Sequence, residues 1–242
     1  MGIPNLPKTS ELLPALPYAR RFARALTGAQ GPGDEMVARA AARLPEDMPP
    51  RLGLFSAITA LTAGLSAGPG MPPLARHLLL LTTIEELTTA EAARVTGLEQ
   101  GEAEARIAAA REAIRSAVVT RVLIIEDEPI IAMDLRMLVQ DCGHTVIGVA
   151  ATEADAVRLA AEGDARLILA DINLGRGGNG IRAVQEILTR ITVPVIFVTA
   201  YPEDLLTAEG IEPAFVMRKP FDRFMLAVLT YQAISAGVVP LP

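Results

Sequence analysis

The spacing of apolar residues separates the chain into a helical first half and an alternating second half. From Ser10 to Gly28, apolar positions recur at helical intervals and predict an amphipathic helix that Gly28 ends. The same spacing predicts further helices over 34–44, 51–63 and 74–84. The glycine- and proline-rich segment 65–73 predicts a linker between two helical units.

A helix-turn-helix pattern occupies residues 88–115. Thr88 and Glu91 are spaced as a capping box for a short helix, Gly97 ends it, and a longer helix follows. This spacing is equally typical of a DNA-reading unit and of a helical packing unit. The start of the second helix is acidic rather than basic, with glutamates at positions 99, 102 and 104. Because carboxylates repel DNA phosphates, we expect no DNA binding here.

Short apolar strands alternate with helices from Arg121 onward. The predicted strands cover 121–125, 145–150, 166–170, 194–198 and 214–217. Helices are predicted over 129–142, after a cap at Thr152, from near Gly180, around 204–208 and from near Phe221. This alternation predicts an α/β fold: a doubly wound parallel sheet of five strands with helices on both faces.

Polar side chains stand at the carboxyl ends of these strands, where ligands bind in open parallel sheets. Glu126 and Asp127 follow the first strand, Asp171 the third and Thr199 the fourth, and Lys219 comes after the fifth. Three neighbouring acids repel one another unless a cation joins them. Mg²⁺ prefers such oxygen ligands, so the sequence predicts a magnesium site at this edge of the sheet.

The same residues have the parts for phosphoryl transfer to a carboxylate. Asp171 is the candidate nucleophile, which would form an aspartyl phosphate. Lys219 and the Thr199 hydroxyl would bind the phosphoryl oxygens, mostly by positioning and electrostatics. The alternative is a salt-bridged network of Glu126, Asp127 and Lys219 at the rim of the sheet. Suitable residues at so many matching strand ends favour the phosphorylation site.

Composition narrows the class of protein. The net charge of -6 and the pI near 5.1 argue against nucleic acid as a partner. No apolar run reaches the roughly 18–20 residues of a membrane helix and the first residues lack signal-peptide features, so we expect a cytoplasmic protein. Cys142 is the single cysteine, which excludes an internal disulfide. The glycine-rich loop 175–180 lacks the lysine-serine ending of a P-loop, and we expect it to be flexible.

The second half resembles a response-regulator receiver domain from Arg121 to about Ala236. The resemblance lies in the motifs IIEDE, ADINLG, FVTAY and MRKPF. It implies a flavodoxin-like fold, phosphorylation of Asp171, and Mg²⁺ held by Glu126, Asp127, Asp171 and the carbonyl of Asn173. It also implies Thr199 as the switch hydroxyl, Lys219 as the phosphate-binding lysine and a cis bond between Lys219 and Pro220.

The switch of this domain departs from the family pattern at one position. Receivers usually carry an aromatic residue three positions before the lysine, where this chain has Val216, with Phe215 one position earlier. Tyr201, two residues after Thr199, is the other aromatic candidate, as in a receiver subgroup with an aromatic residue in that loop. Which of Tyr201 and Phe215 completes the switch stays open at this point.

The first half is similar to regions two and four of an extracytoplasmic-function sigma factor. The similar segments are LPYARRFARALTG, PPLARHLLLLTTIEELTTAEAARVTG and ARIAAAREAI. The resemblance implies a sigma-like domain over 1–118, with region two over about 1–64 and region four over 73–116, followed by a receiver over 119–242. This order resembles the PhyR-type regulators of the alphaproteobacterial general stress response.

That family implies a function by mimicry, as an anti-anti-sigma factor. After phosphorylation by a sensor histidine kinase or phosphotransferase, the protein would bind a NepR-type anti-sigma factor and free the sigma factor. Because the linker 116–120 is short and half apolar, we expect the unphosphorylated receiver to pack on the sigma-like half. Its own phosphorylation and dephosphorylation would be its only catalysis. Two alternatives remain: a DNA-binding regulator that uses the helix-turn-helix, and a stand-alone phosphatase or aspartyl-phosphate enzyme.

Overall fold

The computed structural model describes residues 12–64, 71–115, 119–175, 178–200 and 215–235. The helical half, residues 12–115, begins with a 3₁₀ turn at Leu13–Ala15. Its described helices are α1 (Leu16–Thr27), α2 (Gln30–Ala41), α3 (Pro50–Thr62), α4 (Pro73–Thr83), α5 (Thr89–Thr96) and α6 (Gln100–Arg115). Among the described residues, no helix is both long enough and apolar enough to span a membrane.

Local sequence explains where several of these helices begin and end. Helices α3 and α4 each start at a proline, which has no backbone N–H to leave unpaired. The predicted capping box of α5 is present: the Thr88 hydroxyl accepts the N–H of Glu91, whose carboxylate accepts the N–H of Thr88. Gly28 and Gly97 follow α1 and α5 with φ angles of 76° and 70°, which favour glycine.

Helix α2 begins at Gln30, earlier than the predicted residue 34, and so includes the glycines of the segment 30–33. Gly33 lies against α1, since a Cβ at this position would stand 2.5 Å from the Cγ of Arg24. Close packing on Arg24 therefore compensates for the low helix propensity of glycine. The guanidinium of Arg24 also binds Asp34, with Nη2 2.6 Å from Oδ1, and joins the two helices.

The sheet half, residues 119–235, contains five main strands in its described part. They are β1 (Arg121–Ile125), β2 (Thr145–Ala150), β3 (Leu167–Asp171), β6 (Val195–Thr199) and β7 (Val216–Arg218), with the short β4 (Asn173–Leu174) and β5 (Gly178–Asn179) between β3 and β6. The five main strands form a parallel sheet in the order β2-β1-β3-β6-β7, as predicted. The described helices are α7 (Pro129–Asp141), α8 (Glu153–Glu162), α9 (Gly180–Leu188) and α10 (Arg223–Ser235). The helix predicted near 204–208 lies outside the described residues.

Three strands end one residue later than predicted. Strand β3 includes Asp171, β6 includes Thr199, and β7 ends at Arg218 rather than at residue 217. The ladder continues through these polar residues because Asp171 pairs with Val198 and Thr199 pairs with Arg218. The backbone of the sheet therefore holds the acid and the hydroxyl directly.

The glycine-rich loop after β3, which we expected to be flexible, contains a short antiparallel ladder between β4 and β5. The side chain of Asn179 then caps the first turn of α9. A Cβ on Gly180 would stand 1.7 Å from the carbonyl oxygen of Asp171, so only glycine fits at this position. The hairpin is thus tied to the end of β3 by close backbone packing.

Apolar side chains cover both faces of the sheet. Along β1, Val122 and Ile124 belong to one buried cluster, whereas Leu123 and Ile125 belong to another. This alternation is expected for a strand with helices on both faces. The first cluster continues into the helical half and includes residues 78–81 of α4. The two halves therefore share a hydrophobic core.

Helix α10 forms the junction between the halves, because it packs on α1, α4 and α6 as well as on the sheet. Arg111 of α6 places its guanidinium carbon 4.6 Å from the centre of the Phe224 ring. Gln232 accepts a hydrogen bond from Arg76 of α4. The last helix of the sheet half is therefore seated on the helical half.

A buried ion pair joins the two helical units of the first half. Arg21 of α1 binds both carboxylate oxygens of Glu85, with Nε–Oε1 and Nη2–Oε2 distances of 2.9 and 3.0 Å. Its Nη2 also donates to the carbonyl of Ile84 at 2.7 Å. Arg51 of α3 donates to the carbonyl of Glu85 at 2.6 Å. Because Glu85 is fully buried, its charge depends on these arginines for compensation.

Replacing Glu85 by glutamine should lower the free energy of unfolding by about 3 kcal/mol, because it leaves the Arg21 guanidinium buried without a counter-charge. Urea unfolding followed by circular dichroism measures this change. Glu102→Gln is the matched control, since its 2.6 Å pair with Arg106 lies on an exposed helix face and should contribute far less. Equal losses in the two variants would contradict a special role for the buried pair.

Candidate functional site

The ammonium of Lys219 joins two carboxylates at the carboxyl edge of the sheet. Its Nζ donates to Glu126 Oε2 at 3.0 Å and to Asp171 Oδ2 at 2.9 Å. One oxygen each from Glu126, Asp127 and Asp171 lies within 4.8 Å of the others. The structure therefore brings together three acids and one lysine from the ends of β1, β3 and β7.

Parallel pairing explains why Glu126 and Asp171 meet. Ile125 at the end of β1 pairs with Ala170 of β3, so the next residue of each strand reaches the same edge. The N–H of Glu126 still donates to the carbonyl of Ala150 at 2.9 Å, which continues the β1–β2 ladder. Both carboxylates lie almost completely inside the protein, with Glu126 1% and Asp171 6% exposed.

Asp127 is held by the hairpin that follows β3. The N–H of Gly175 donates to Asp127 Oδ2 at 2.8 Å. A Cβ on Gly175 would stand 2.6 Å from this oxygen, so the absence of a side chain lets the backbone approach the carboxylate. Asp127 is half-buried and completes the acidic cluster.

The electrostatics of the cluster are unbalanced towards negative charge. Burial raises the pKa of Glu126 and the charge of Asp171 adds to this effect, while the hydrogen bond from Lys219 opposes it. For Lys219, burial lowers the pKa, but the hydrogen bonds to Asp171 and Glu126 outweigh burial and leave the pKa above its ordinary value. Lys219 therefore stays charged and compensates only part of the negative charge of three carboxylates.

Thr199 ends β6 beside this cluster and is 5% exposed. Its carbonyl accepts the N–H of Lys219 at 2.7 Å, so the lysine and the hydroxyl are tied to each other through the backbone. The peptide bond between Lys219 and Pro220 is cis, which confirms the bond implied by the receiver resemblance. The structure thus places the predicted switch threonine next to the predicted phosphate-binding lysine.

The remaining predicted site residues are placed less centrally. The side chain of Asn173 is exposed, and its backbone pairs with Asn179 in the hairpin. Phe215 is buried, at 4% exposure, in the core that the two halves share. Val216, at the position where receivers usually carry an aromatic residue, is also buried. Tyr201 lies outside the described residues.

Glu153 and Asn179, which no sequence pattern identifies as site residues, position the hairpin beside the acids. Glu153 Oε1 accepts the N–H of Asn179 at 2.6 Å and also binds Arg182 at 2.9 Å. Asn179 in turn caps α9. An asparagine directly before an apolar helical pattern is a recognisable cap signal, but the partner from α8 is not visible in the sequence.

The donor set of this cluster suits a hard cation. Its potential ligands are carboxylate oxygens, with no nitrogen or sulfur donor among the clustered residues. The acids exceed the single ammonium in charge, so a divalent ion would remove repulsion that Lys219 leaves uncompensated. The residues present therefore fit a divalent cation held by oxygen.

Comparison with known proteins confirms the receiver resemblance and the region-two part of the sigma-like resemblance. Residues 122–228 match the response regulator receiver domain family, and residues 12–59 match the family described as the Sigma2 domain of PhyR. Over 244 aligned residues, the chain is 39% identical to the phyllosphere-induced regulator PhyR of Methylorubrum extorquens, covering 90% of this chain and 91% of that protein.

Solved structures of similar proteins extend over both halves of the chain. The crystal structure of the response regulator PhyR from Brucella abortus is 41% identical, with a TM-score of 0.85 and coverage of 93% of each chain. The anti-anti-sigma factor PhyR from Bartonella quintana is 39% identical, with a TM-score of 0.84 and coverage of 93% of this chain and 95% of that one. The arrangement of a helical half and a sheet half is therefore common to these proteins.

Replacing Lys219 by methionine should destabilise the metal-free chain by about 2–3 kcal/mol at neutral pH, because it leaves buried carboxylates without a cation. The loss should depend on pH. Without the ammonium, burial and repulsion raise the pKa of Glu126 further, so the folded chain binds protons more tightly than the unfolded chain. Stability then falls as pH rises, and the deficit should grow between about pH 4 and pH 8.

Urea unfolding of wild type and variant in the presence of a chelator measures this deficit at each pH. Arg218→Met is the control, because it removes a neighbouring exposed cation that ends the same strand. A deficit that is the same at pH 4 and pH 8 would show that the ammonium does not compensate the acids.

Proposed function

The chain belongs to the PhyR family of response regulators, and we propose that it is an anti-anti-sigma factor controlled by phosphorylation of Asp171. One observation carries the proposal: the Lys219 ammonium bridges Asp171 and Glu126 at the edge of a receiver sheet whose last helix is seated on a sigma-like half. The sigma-like unit would cover 1–118 and the receiver 119–242, a division supported by the residues that the two family models match.

Phosphorylation would form a bond between a carboxylate oxygen of Asp171 and the phosphorus atom of a donor. The bond from phosphorus to the donor's leaving group breaks in the same transfer. Lys219 is already within hydrogen-bond distance of Asp171 and would move onto a phosphoryl oxygen. The Thr199 hydroxyl would bind another. The chain is proposed to catalyse only its own phosphorylation and dephosphorylation.

Glu126, Asp127, Asp171 and the carbonyl of Asn173 would hold Mg²⁺ in this site. When bound, Mg²⁺ offsets the negative charge of the phosphoryl oxygens. The oxygen donors and the excess of negative charge support this choice of ion. The role of the protein is to keep the oxygen ligands in place, for example through the Gly175 N–H that orients Asp127.

Helix α10 would couple phosphorylation to the sigma-like half. Lys219 lies just before α10, which contacts α1, α4 and α6. Movement of Lys219 and Thr199 towards the phosphoryl group would loosen this contact and expose the surface that binds a NepR-type anti-sigma factor. Phe215, which lies in the shared core, and Tyr201 are the two aromatic candidates for completing the switch. Reversing a mostly closed equilibrium requires roughly 5.5 kcal/mol, shared between phosphate and partner.

The helix-turn-helix unit is proposed to bind protein rather than DNA. The start of α6 presents the exposed carboxylates of Glu99, Glu102 and Glu104 where a DNA-reading helix would present bases or amides. Such a surface repels phosphates. A sigma-like unit that no longer reads DNA is what mimicry of a sigma factor requires.

Asp171→Ala should abolish the effect of phosphorylation on partner binding. In the wild type, acetyl phosphate with Mg²⁺ should raise the affinity for the NepR-type anti-sigma factor by at least about tenfold. Phosphorylation lowers the free energy needed to open the chain, so less of the binding energy of the partner is spent on opening it. The variant should keep the low affinity of the unphosphorylated chain. Isothermal calorimetry or a quantitative pull-down, with and without the phosphodonor, measures both.

Asp164→Ala is the control for this experiment, because this exposed acid precedes β3 and lies at the opposite end of that strand. It should behave like the wild type. Equal partner affinity of the wild type with and without acetyl phosphate and Mg²⁺ would refute the proposed switch. Tight binding to DNA at low salt would instead favour a DNA-binding regulator.

The exposed apolar face of α7 is proposed as the docking surface for the phosphodonor kinase. Ile130, Met133 and Met137 recur at helical spacing and are 73%, 55% and 48% exposed. Helix α7 begins at Pro129, directly after the acidic loop that carries Asp127. A phosphohistidine can reach Asp171 only if its own protein covers this rim, so apolar residues here suit that contact.

Met133→Asp should slow phosphotransfer from a histidine kinase about tenfold while leaving phosphorylation by acetyl phosphate unchanged, because the small donor needs no docking surface. Rates of transfer of labelled phosphate measure both reactions. Leu13→Asp, at an exposed apolar residue of the helical half, is the control and should change neither rate. Slowing of both donors in Met133→Asp would instead indicate damage to the site itself.

A further inference from the structure

Arg76 is a buried cation at the point where three parts of the chain meet. It lies on α4, is 5% exposed, and donates through Nη2 to the carbonyl of Ala25 in the last turn of α1 at 3.0 Å. Its Nε donates to Oε1 of Gln232 on α10. One guanidinium thus links the two helical units to each other and to the receiver.

The acceptors of this guanidinium are neutral. Among the residues that the structure describes, no carboxylate lies within ion-pair distance of Arg76, whereas Arg21 and Arg24 bind Glu85 and Asp34. Burial lowers the pKa of Arg76, although the electrostatic effect of Tyr231 acts in the opposite direction. A charge in this position is held by hydrogen bonds but not compensated.

Gln232 is also only partly satisfied. It is fully buried, and its Nε2 has no hydrogen-bond partner among the described residues, although its Oε1 accepts from Arg76. Thr230, two residues earlier on α10, has a buried hydroxyl that also has no hydrogen-bond partner among the described residues. Buried polar atoms without partners carry a desolvation penalty that water would remove on opening.

We propose that the contact between Arg76 and Gln232 is a weak interdomain latch, in which a neutral amide holds a cation that a carboxylate would hold firmly. The shared apolar core favours the closed arrangement, and the incompletely satisfied latch offsets part of that preference. A single phosphoryl group at Asp171 can then release α10. This regulatory role rests on the proposed function, whereas the weakness of the contact can be tested without it.

Gln232→Glu is the discriminating variant. Glutamate has nearly the same shape, supplies the missing counter-charge and replaces the unpartnered Nε2 donor by an acceptor that the guanidinium fork can share. The ratio of open to closed chains should therefore fall about tenfold. Gln232→Met, of similar size but without an acceptor, should raise this ratio about tenfold. If Gln232 only filled space, both substitutions would raise the ratio of open to closed chains.

Single-molecule energy transfer in the full chain measures the ratio. The dyes are attached at Glu104→Cys and Arg190→Cys, which are exposed positions on the two halves, in a Cys142→Ser background. Two double variants test the coupling to Arg76. Arg76→Met with Gln232→Glu should lose the closing effect of the glutamate, and Arg76→Met with Gln232→Met should restore the closed state, because both polar groups are then removed.

An increase of the open ratio in both single variants would overturn the latch, and so would a closing effect of Gln232→Glu that persists without Arg76. Circular dichroism checks that each variant is folded. If Gln232→Glu does not fold, the Arg76→Met/Gln232→Met double variant provides the test instead. A double variant that does not restore the closed state overturns the proposal.

The measurements are made both without a phosphodonor and with acetyl phosphate and Mg²⁺. A wild type that does not respond to the donor would contradict the proposed function alone, because the contrast between Gln232→Glu and Gln232→Met is read in the unphosphorylated chain.

Discussion

The Lys219 ammonium between Glu126 and Asp171 is the interaction on which the rest of the structure depends. Buried carboxylates at the end of a parallel sheet repel one another, and the sheet cannot separate them because its register carries them to one edge. A lysine that follows β7 is the compensating charge that the chain itself supplies. The lysine compensates part of the negative charge of the acids, and a divalent cation would offset the remainder.

The same lysine lies at the start of the path from the site to the helical half. Its backbone N–H is bound to the carbonyl of Thr199, and α10 follows within a few residues. Helix α10 contributes Leu226 and Leu229 to the core that also contains α4. Because one helix belongs to two packing surfaces, a shift at the acidic edge would change the fit of the halves. Coupling between the acidic edge and the helical half therefore needs no further pathway of contacting residues.

The acidic edge could be predicted from the sequence because its geometry follows from local patterns. An apolar strand followed by an acid identifies a strand end, and parallel pairing places such ends together, as Glu126 and Asp171 show. The predicted start of α2 was wrong because the low helix propensity of glycine argues against a helix here, and the packing of Gly33 on Arg24 is not visible in the sequence. The pairs of Arg21 with Glu85 and of Arg76 with Gln232 join residues far apart in sequence, and no periodicity indicates them.

Three buried arginines of the helical half have different partners, depending on whether they bind within that half or at its boundary with the receiver. Arg21 and Arg24 bind carboxylates inside the helical half. Arg76 spans the boundary with the receiver and is paired with an amide. An ion pair at this boundary would be costly to break, because opening would leave neither charge with its partner until both were hydrated. A neutral partner would suit a joint that is proposed to open, and the choice of acceptor would then distinguish this contact from the ion pairs within the helical half.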